Sequence, residues 1–286
     1  MNELAGAARS QISRLKNALR TFDASDGWAM SSHVALSLMI SIFPFIIFTT
    51  ALAGFIGNEK QSQELVDLVF EYWPDEIAEP ITREIDIVLT NGNAGFLSMG
   101  IALALLFATN GVEAVRIALM RAYGDTETRP FWLRRLQSLA FVILGALLMS
   151  IISVLVVIAP LYLSFIEIAS PTFYEQFFRS KFLTLATALL LLVFVVFACH
   201  YWLPVRNRPI ARIWPGIAMT LFLWLISASI FSWYLAIFAD YSATYAGLAG
   251  FMSAQIFLYL MAAVLIYGAE YNSELERVRD LRPDIS

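Results

Sequence analysis

Four residues in this chain stand in or beside long apolar runs, where a polar group or a break in the backbone could serve a site inside a membrane. They are His33 in "SSHVALS", Pro44 in "SLMISIFPFII", Asn110 in "FATNGVE" and Glu270 in "VLIYGAEYN". A histidine there can carry a proton or contact a ligand, and an intramembrane carboxylate is costly unless used or paired. Pro44 removes a backbone hydrogen bond and leaves the Ile40 carbonyl free to meet another group. Together they would line a polar cavity near Pro44, with His33, Asn110 and Glu270 towards its inner end. Each also has a plainer reading: a structural kink, a bond to a neighbouring helix, or an interfacial charge. His200, beside Tyr201 and Trp202, reads as part of an interfacial aromatic belt.

A second group is charged. Glu113, Arg116 and Arg121 follow Asn110 at spacings that let Glu113 pair with Arg116, before a turn at Gly124 and Asp125. Arg129, Arg134 and Arg135 then cluster where they can meet anionic phospholipid headgroups or simply set topology. No "GxSxG", "HExxH", paired-cysteine motif or glycine-rich phosphate loop is present. With one cysteine, Cys199, and two histidines, the sequence offers no disulfide, no catalytic set, no metal site, no cofactor site and no nucleic-acid surface. An enzyme is therefore the weakest class.

These residues are positioned by an unusually apolar chain. Of 286 residues 59% are hydrophobic and 15% charged, and the mean hydropathy is +0.69. The apolar residues are gathered into blocks at 29–57, 94–110, 137–166, 182–203, 213–239 and 245–269, each about long enough to cross some 30 Å of hydrocarbon as a helix. The fold expected is an all-α integral membrane protein of six spans in one domain. Residues 1–28 form an amphipathic arm, with Leu4, Ala8, Ile12, Leu15, Leu19 and Phe22 at spacings of three and four and basic residues between them. That arm either rests on the bilayer or packs on the protein. Residues 58–93 carry nine acidic residues against Lys60 and Arg83 and read as an extracytoplasmic cap of two short amphipathic helices, and 270–286 is a tail. With both termini cytoplasmic, fifteen of the nineteen lysines and arginines fall inside, which sets the orientation. Gly247 and Gly250 offer a small-residue face for contact within one chain or between copies, so a homo-oligomer is allowed.

Four stretches carry a resemblance: "ALSLMISIFPFIIF" at 35–48, "LMRAYGDTETRPFWLRRL" at 119–136, "YWLPVRNRPIARIWPGIAMT" at 201–220 and "YAGLAGFMSAQIFLYLMAAVLIYGAEYN" at 245–272. In these the chain resembles the YihY and BrkB inner-membrane proteins, once labelled ribonuclease BN. It departs mildly at Tyr245 to Leu248, where relatives have "YGSL", and at Phe257, where they have tryptophan. The resemblance implies a six-span bacterial inner-membrane protein with cytoplasmic termini. The residues support neither the ribonuclease label, for want of metal ligands and an RNA surface, nor any mechanism behind the virulence label.

The function expected is transport of a small solute or lipid; the alternative is a non-catalytic scaffold or envelope-integrity factor. Glu270 needs a positive partner. A carboxylate at the end of a helix opposes the macrodipole, and in a longer helix it repels Glu274 four residues on. Arg116 or Arg121 is the expected partner, fixing the last span to the second.

Overall fold

A computed structural model describes residues 2–56, 82, 94–169, 181–238 and 246–280, all in helices and the short turns joining them, with no strand among the described residues. The helices are α1 (Asn2–Ala24), α2 (Gly27–Ile56), α3 (Ala94–Ala122), α4 (Phe131–Ala169), α5 (Lys181–Trp202), α6 (Ile210–Phe238) and α7 (Ala246–Asp280). Apart from residue 82, the acidic segment 58–93 lies outside the described residues, as do residues 281–286 of the tail.

Five of the helices, α2, α3, α4, α6 and α7, are long and apolar enough to cross a membrane, and α5 adds a shorter apolar stretch, Leu189–Trp202. The protein is an all-α, multi-pass membrane protein. Its outer faces are apolar, as lipid requires: Leu190, Ile230 and Trp233 are among its most exposed side chains. Its inner faces are small, so helix backbones can approach closely. Along α3 the buried positions Ala104, Ala108, Gly111, Ala114, Ala118 and Ala122 recur every three or four residues. A side chain at Gly111 would press on Leu38 and Ser41 of α2 at 3.1 Å.

The apolar blocks understate the helices. α3 runs twelve residues past Asn110, α4 starts at Phe131 rather than 137, and α7 continues beyond Ala269 to Asp280. The added turns carry charge but are paid for by ion pairs, so a hydropathy boundary falls short of them. α2 passes through Pro44 without interruption.

α7 is the central element, packing on α1, α2, α3 and α6. α1 packs on the protein: its buried Ala18 joins Tyr271 and Leu275 of α7, while the Tyr267 hydroxyl donates to the Leu15 carbonyl at 3.1 Å. Only part of its apolar stripe is used, and Ile12 and Leu19 remain exposed. The α1–α2 turn reverses at Asp26, with φ 55°, and Phe22 fills the space where a side chain at Gly27 would stand.

Candidate functional site

The polar core lies at one end of the bundle, here called the basic end because Arg116, Arg129, Arg208 and Arg212 gather there. It starts with the way α3 stops. Gly124 has φ 66°, its N–H bonds the Arg121 carbonyl at 3.0 Å, and the Asp125 N–H bonds the Met120 carbonyl at 2.9 Å. This pair of bonds is a Schellman cap, in which a left-handed residue satisfies the last carbonyls and turns the chain back. Asp125 and Glu127 are thereby folded over the end of α3. Nothing lies within 4 Å of a side chain at Gly124, so only the backbone conformation demands glycine. Gly124→Val should cost about 1–2 kcal/mol, the penalty for a side chain in this conformation, read as a lower melting temperature in detergent.

Arg208, from the segment joining α5 to α6, docks against this cap. Its Nη1 and Nη2 each donate to an Asp125 carboxylate oxygen at 2.8 Å, and its Nε donates to Glu276 at 3.0 Å. The carbonyls of Arg206 and Tyr123 take the remaining donors at 3.4 and 3.5 Å. All five guanidinium N–H groups are thus used, and the guanidinium carbon lies 4.1 Å from the Tyr123 ring centroid. The side chain is 4% exposed. Arg212 adds a second cation to Glu276 at 3.3 Å.

Below it lies a neutral hydrogen-bond chain whose direction is fixed by one backbone group. The Gly216 N–H can only donate, and it does so to Asn272 Oδ1 at 2.6 Å. Asn272 Nδ2 therefore donates, to the Ile213 carbonyl at 2.8 Å and to the Tyr123 hydroxyl at 3.0 Å. The hydroxyl lies 2.7 Å from His200 Nδ1; with the hydroxyl donating there, His200 is the Nε2–H tautomer, its Nε2 buried without a partner among the described residues. The Asn272 amide also supports the opening turns of α6, where Pro215 supplies no N–H.

A second cluster joins α3 to α4. Arg116, buried, donates to Glu113 at 2.6 and 3.0 Å and to Glu127. Arg129 grips Glu127 through backbone and side chain and reaches Gln137 at 2.6 Å and the Leu203 carbonyl at 3.0 Å. Burial alone would raise the Glu127 carboxyl, but the Arg129 bonds and the Arg116 charge outweigh it and hold the group below the usual carboxylate range. Its stabilisation is present at neutral pH and is lost as pH falls through that lowered value.

The residues singled out from sequence take separate partners. Glu113 does pair with Arg116. Asn110 accepts from Arg135 at 3.2 Å, His33 is exposed on α2, and Pro44 is half-buried. The expected pairing of Glu270 with Arg116 or Arg121 is overturned. Glu270, 1% exposed, accepts from the Ser25 hydroxyl at 2.6 Å, while Arg121 bonds Asp26 at 2.5 Å. The α1–α2 turn supplies the partner of each, and Arg116 is taken by Glu113 and Glu127. α7 continues past Glu270, so Glu270 and Glu274 do repel at a spacing of four; Arg277, 3.8 Å from Glu274, supplies a nearby positive charge, and Asn17 donates to Glu274 at 3.1 Å. His200 is buried against Tyr123 rather than exposed beside Trp202. Sequence reasoning missed Asp125, Arg208, Asn272 and Glu276. Asp125 sits in the "AYG…TRP" motif, Arg208 in "RNRP" and Asn272 ends "GAEYN", so three of these four came from the stretches that carried the resemblance.

The family model described as "Virulence factor BrkB" matches residues 18–285. This chain belongs to the BrkB family. A relative from Bacillus subtilis (strain 168), provisionally named ribonuclease-like protein YfkH, is 30% identical over 282 residues, covering 96% of this chain and 98% of the relative. No solved structure matches the chain. The BrkB description names a phenotype rather than a reaction. Among the described residues no three His, Cys, Asp or Glu stand together as metal ligands would.

Proposed function

We propose that this BrkB-family protein is a carrier of a small polar solute or lipid in the bacterial inner membrane, closed at its basic end in this conformation. One contrast carries the reading. At the basic end all five Arg208 donors are used and only His200 Nε2 and Arg134 Nε are buried without a partner among the described residues, whereas in the apolar interior Thr49 Oγ1 on α2, Thr220 Oγ1 on α6 and Gln255 Oε1 on α7 are buried with none. Helical hydroxyls elsewhere in the chain bond back to their own helix: Ser31 to Gly27 at 2.7 Å, Ser150 to Ala146 at 2.9 Å and Ser229 to Leu225 at 2.8 Å. An unpaired polar atom in an apolar membrane interior is costly.

The three atoms sit on α7 and on two helices that pack against it. At 1.5 Å per residue they lie about 6 Å from Gly216, about 25 Å from Asn272 and about 35 Å from Asp26, all contacts of the basic end. They are spread through the depth of the membrane, as stations for a polar group would be. The Arg208 cluster, which ties the α3 cap, the α5–α6 segment and α7, is the closed gate.

A scaffold role has one observation in its favour: Asn110 and Glu270, expected at the inner mouth, are paired off. Reconstitution in liposomes separates the two. Solute flux or lipid scrambling above empty vesicles, lowered by Thr49→Val with Gln255→Leu, is the expected result. Flux equal to empty vesicles across broad solute and lipid panels would leave the scaffold.

A further inference from the structure

The arginines around the start of α4 are not equivalent. Arg129 is committed to Glu127, Gln137 and the Leu203 carbonyl, and Arg135 donates to Thr109 at 3.1 Å and Asn110 at 3.2 Å. Arg134 has no carboxylate partner among the described residues, and its Nε is buried without a hydrogen-bond acceptor. Its guanidinium carbon lies 5.7 Å from the Phe131 ring centroid. It also stands in the first turn of α4, where the positive end of the helix dipole makes a cation unfavourable. A cation so placed, half-buried and with no carboxylate partner among the described residues, calls for an anion from outside the chain.

The surroundings identify that anion. Phe131 and Trp132 are each 65% exposed and Leu136 is 54% exposed, at the start of a helix that is apolar enough to cross the membrane. Aromatic rings beside a basic group at the end of a span occupy the level where headgroup and acyl chain meet. A free phosphate would satisfy the charge and leave the apolar side chains uncovered; a lipid covers both.

We infer that Arg134, Phe131, Trp132 and Leu136 form a binding site for an anionic phospholipid, the guanidinium holding the phosphate and the apolar side chains holding the upper acyl chain. The site is independent of whether the protein transports. Native mass spectrometry of the purified full chain, titrated with phosphatidylglycerol and phosphatidylcholine, measures it. Arg134→Gln should lower the preference for phosphatidylglycerol about fivefold, the factor one basic side chain contributes at an anionic surface. Trp132→Ala, which keeps the charge, should lower retention of the same lipid. Arg121→Gln, which removes an exposed arginine paired with Asp26, should leave the preference unchanged. The inference is overturned if Arg134→Gln retains the wild-type preference, if Arg121→Gln loses as much, or if excess inorganic phosphate displaces the lipid.

Discussion

Replacing Arg208 by methionine is expected to be the most damaging single change in the described part of this protein. It leaves Asp125 and Glu276, 9% and 10% exposed, buried beside each other, with Arg212 at 3.3 Å and the exposed Arg206 at 3.9 Å still reaching Glu276. Removing one member of a buried ion pair costs about 3–5 kcal/mol, because the desolvated partner charge remains. That is a large share of a typical folding stability of about 5–15 kcal/mol. Arg208→Met should therefore accumulate poorly in membranes and melt far below the wild type in detergent. Adding Asp125→Asn and Glu276→Gln to the same chain should recover much of the loss, since it removes the stranded charges. Arg208→Lys should recover little, because an ammonium offers three donors and no planar fork to a site that uses five. A methionine variant that melts with the wild type would show that the cluster does not hold these elements together.

The crossing of α6 and α7 should be nearly as intolerant. A Cβ at Gly216 would lie 2.2 Å from the Gly268 carbonyl oxygen and 2.4 Å from Asn272 Nδ2. A Cβ at Gly268 would lie 2.0 Å from Thr220 Oγ1 and 2.8 Å from the Gly216 carbonyl oxygen. The obstructing atoms include backbone, which cannot rotate aside as a side-chain end can. Overpacking usually costs about 1–3 kcal/mol, and Gly216→Ala should reach the top of that range because the helices must separate. Separation also stretches the bond from the Gly216 N–H to Asn272, and with it the fixed direction of the chain to Tyr123 and His200. The checks are a lower melting temperature and, by nitrogen NMR, a His200 imidazole no longer held as the Nε2–H tautomer. An unchanged tautomer together with an unchanged melting temperature would contradict the crossing.

Membrane class was legible because hydrocarbon imposes long apolar helices, and that constraint is written continuously along the chain. The Glu113–Arg116 pair was legible because both residues sit on one helix at fixed spacing. The Glu270 pairing was not. Its actual partner, Ser25, is 245 residues away and arrives through a turn whose left-handed residue, Asp26, carries no glycine to announce it. Arg208 was counted only as a topology signal, since nothing in its sequence neighbours distinguishes a guanidinium facing headgroups from one buried beneath Tyr123. His200 was taken for a belt residue because Tyr201 and Trp202 follow it; Trp202 is exposed, but the imidazole two residues earlier points inward. Side-chain direction at the end of a helix depends on what packs there, and single-sequence spacing does not contain it.

The gate is tested most directly by locking it. With Cys199 replaced by alanine, cysteines at Thr126 and Asn207, exposed neighbours of the paired Asp125 and Arg208, can be joined by a reducible cross-linker in proteoliposomes. Flux or scrambling abolished on cross-linking and restored on reduction is the expected result. Flux that continues unchanged through the cross-linked protein would contradict a gate at the basic end.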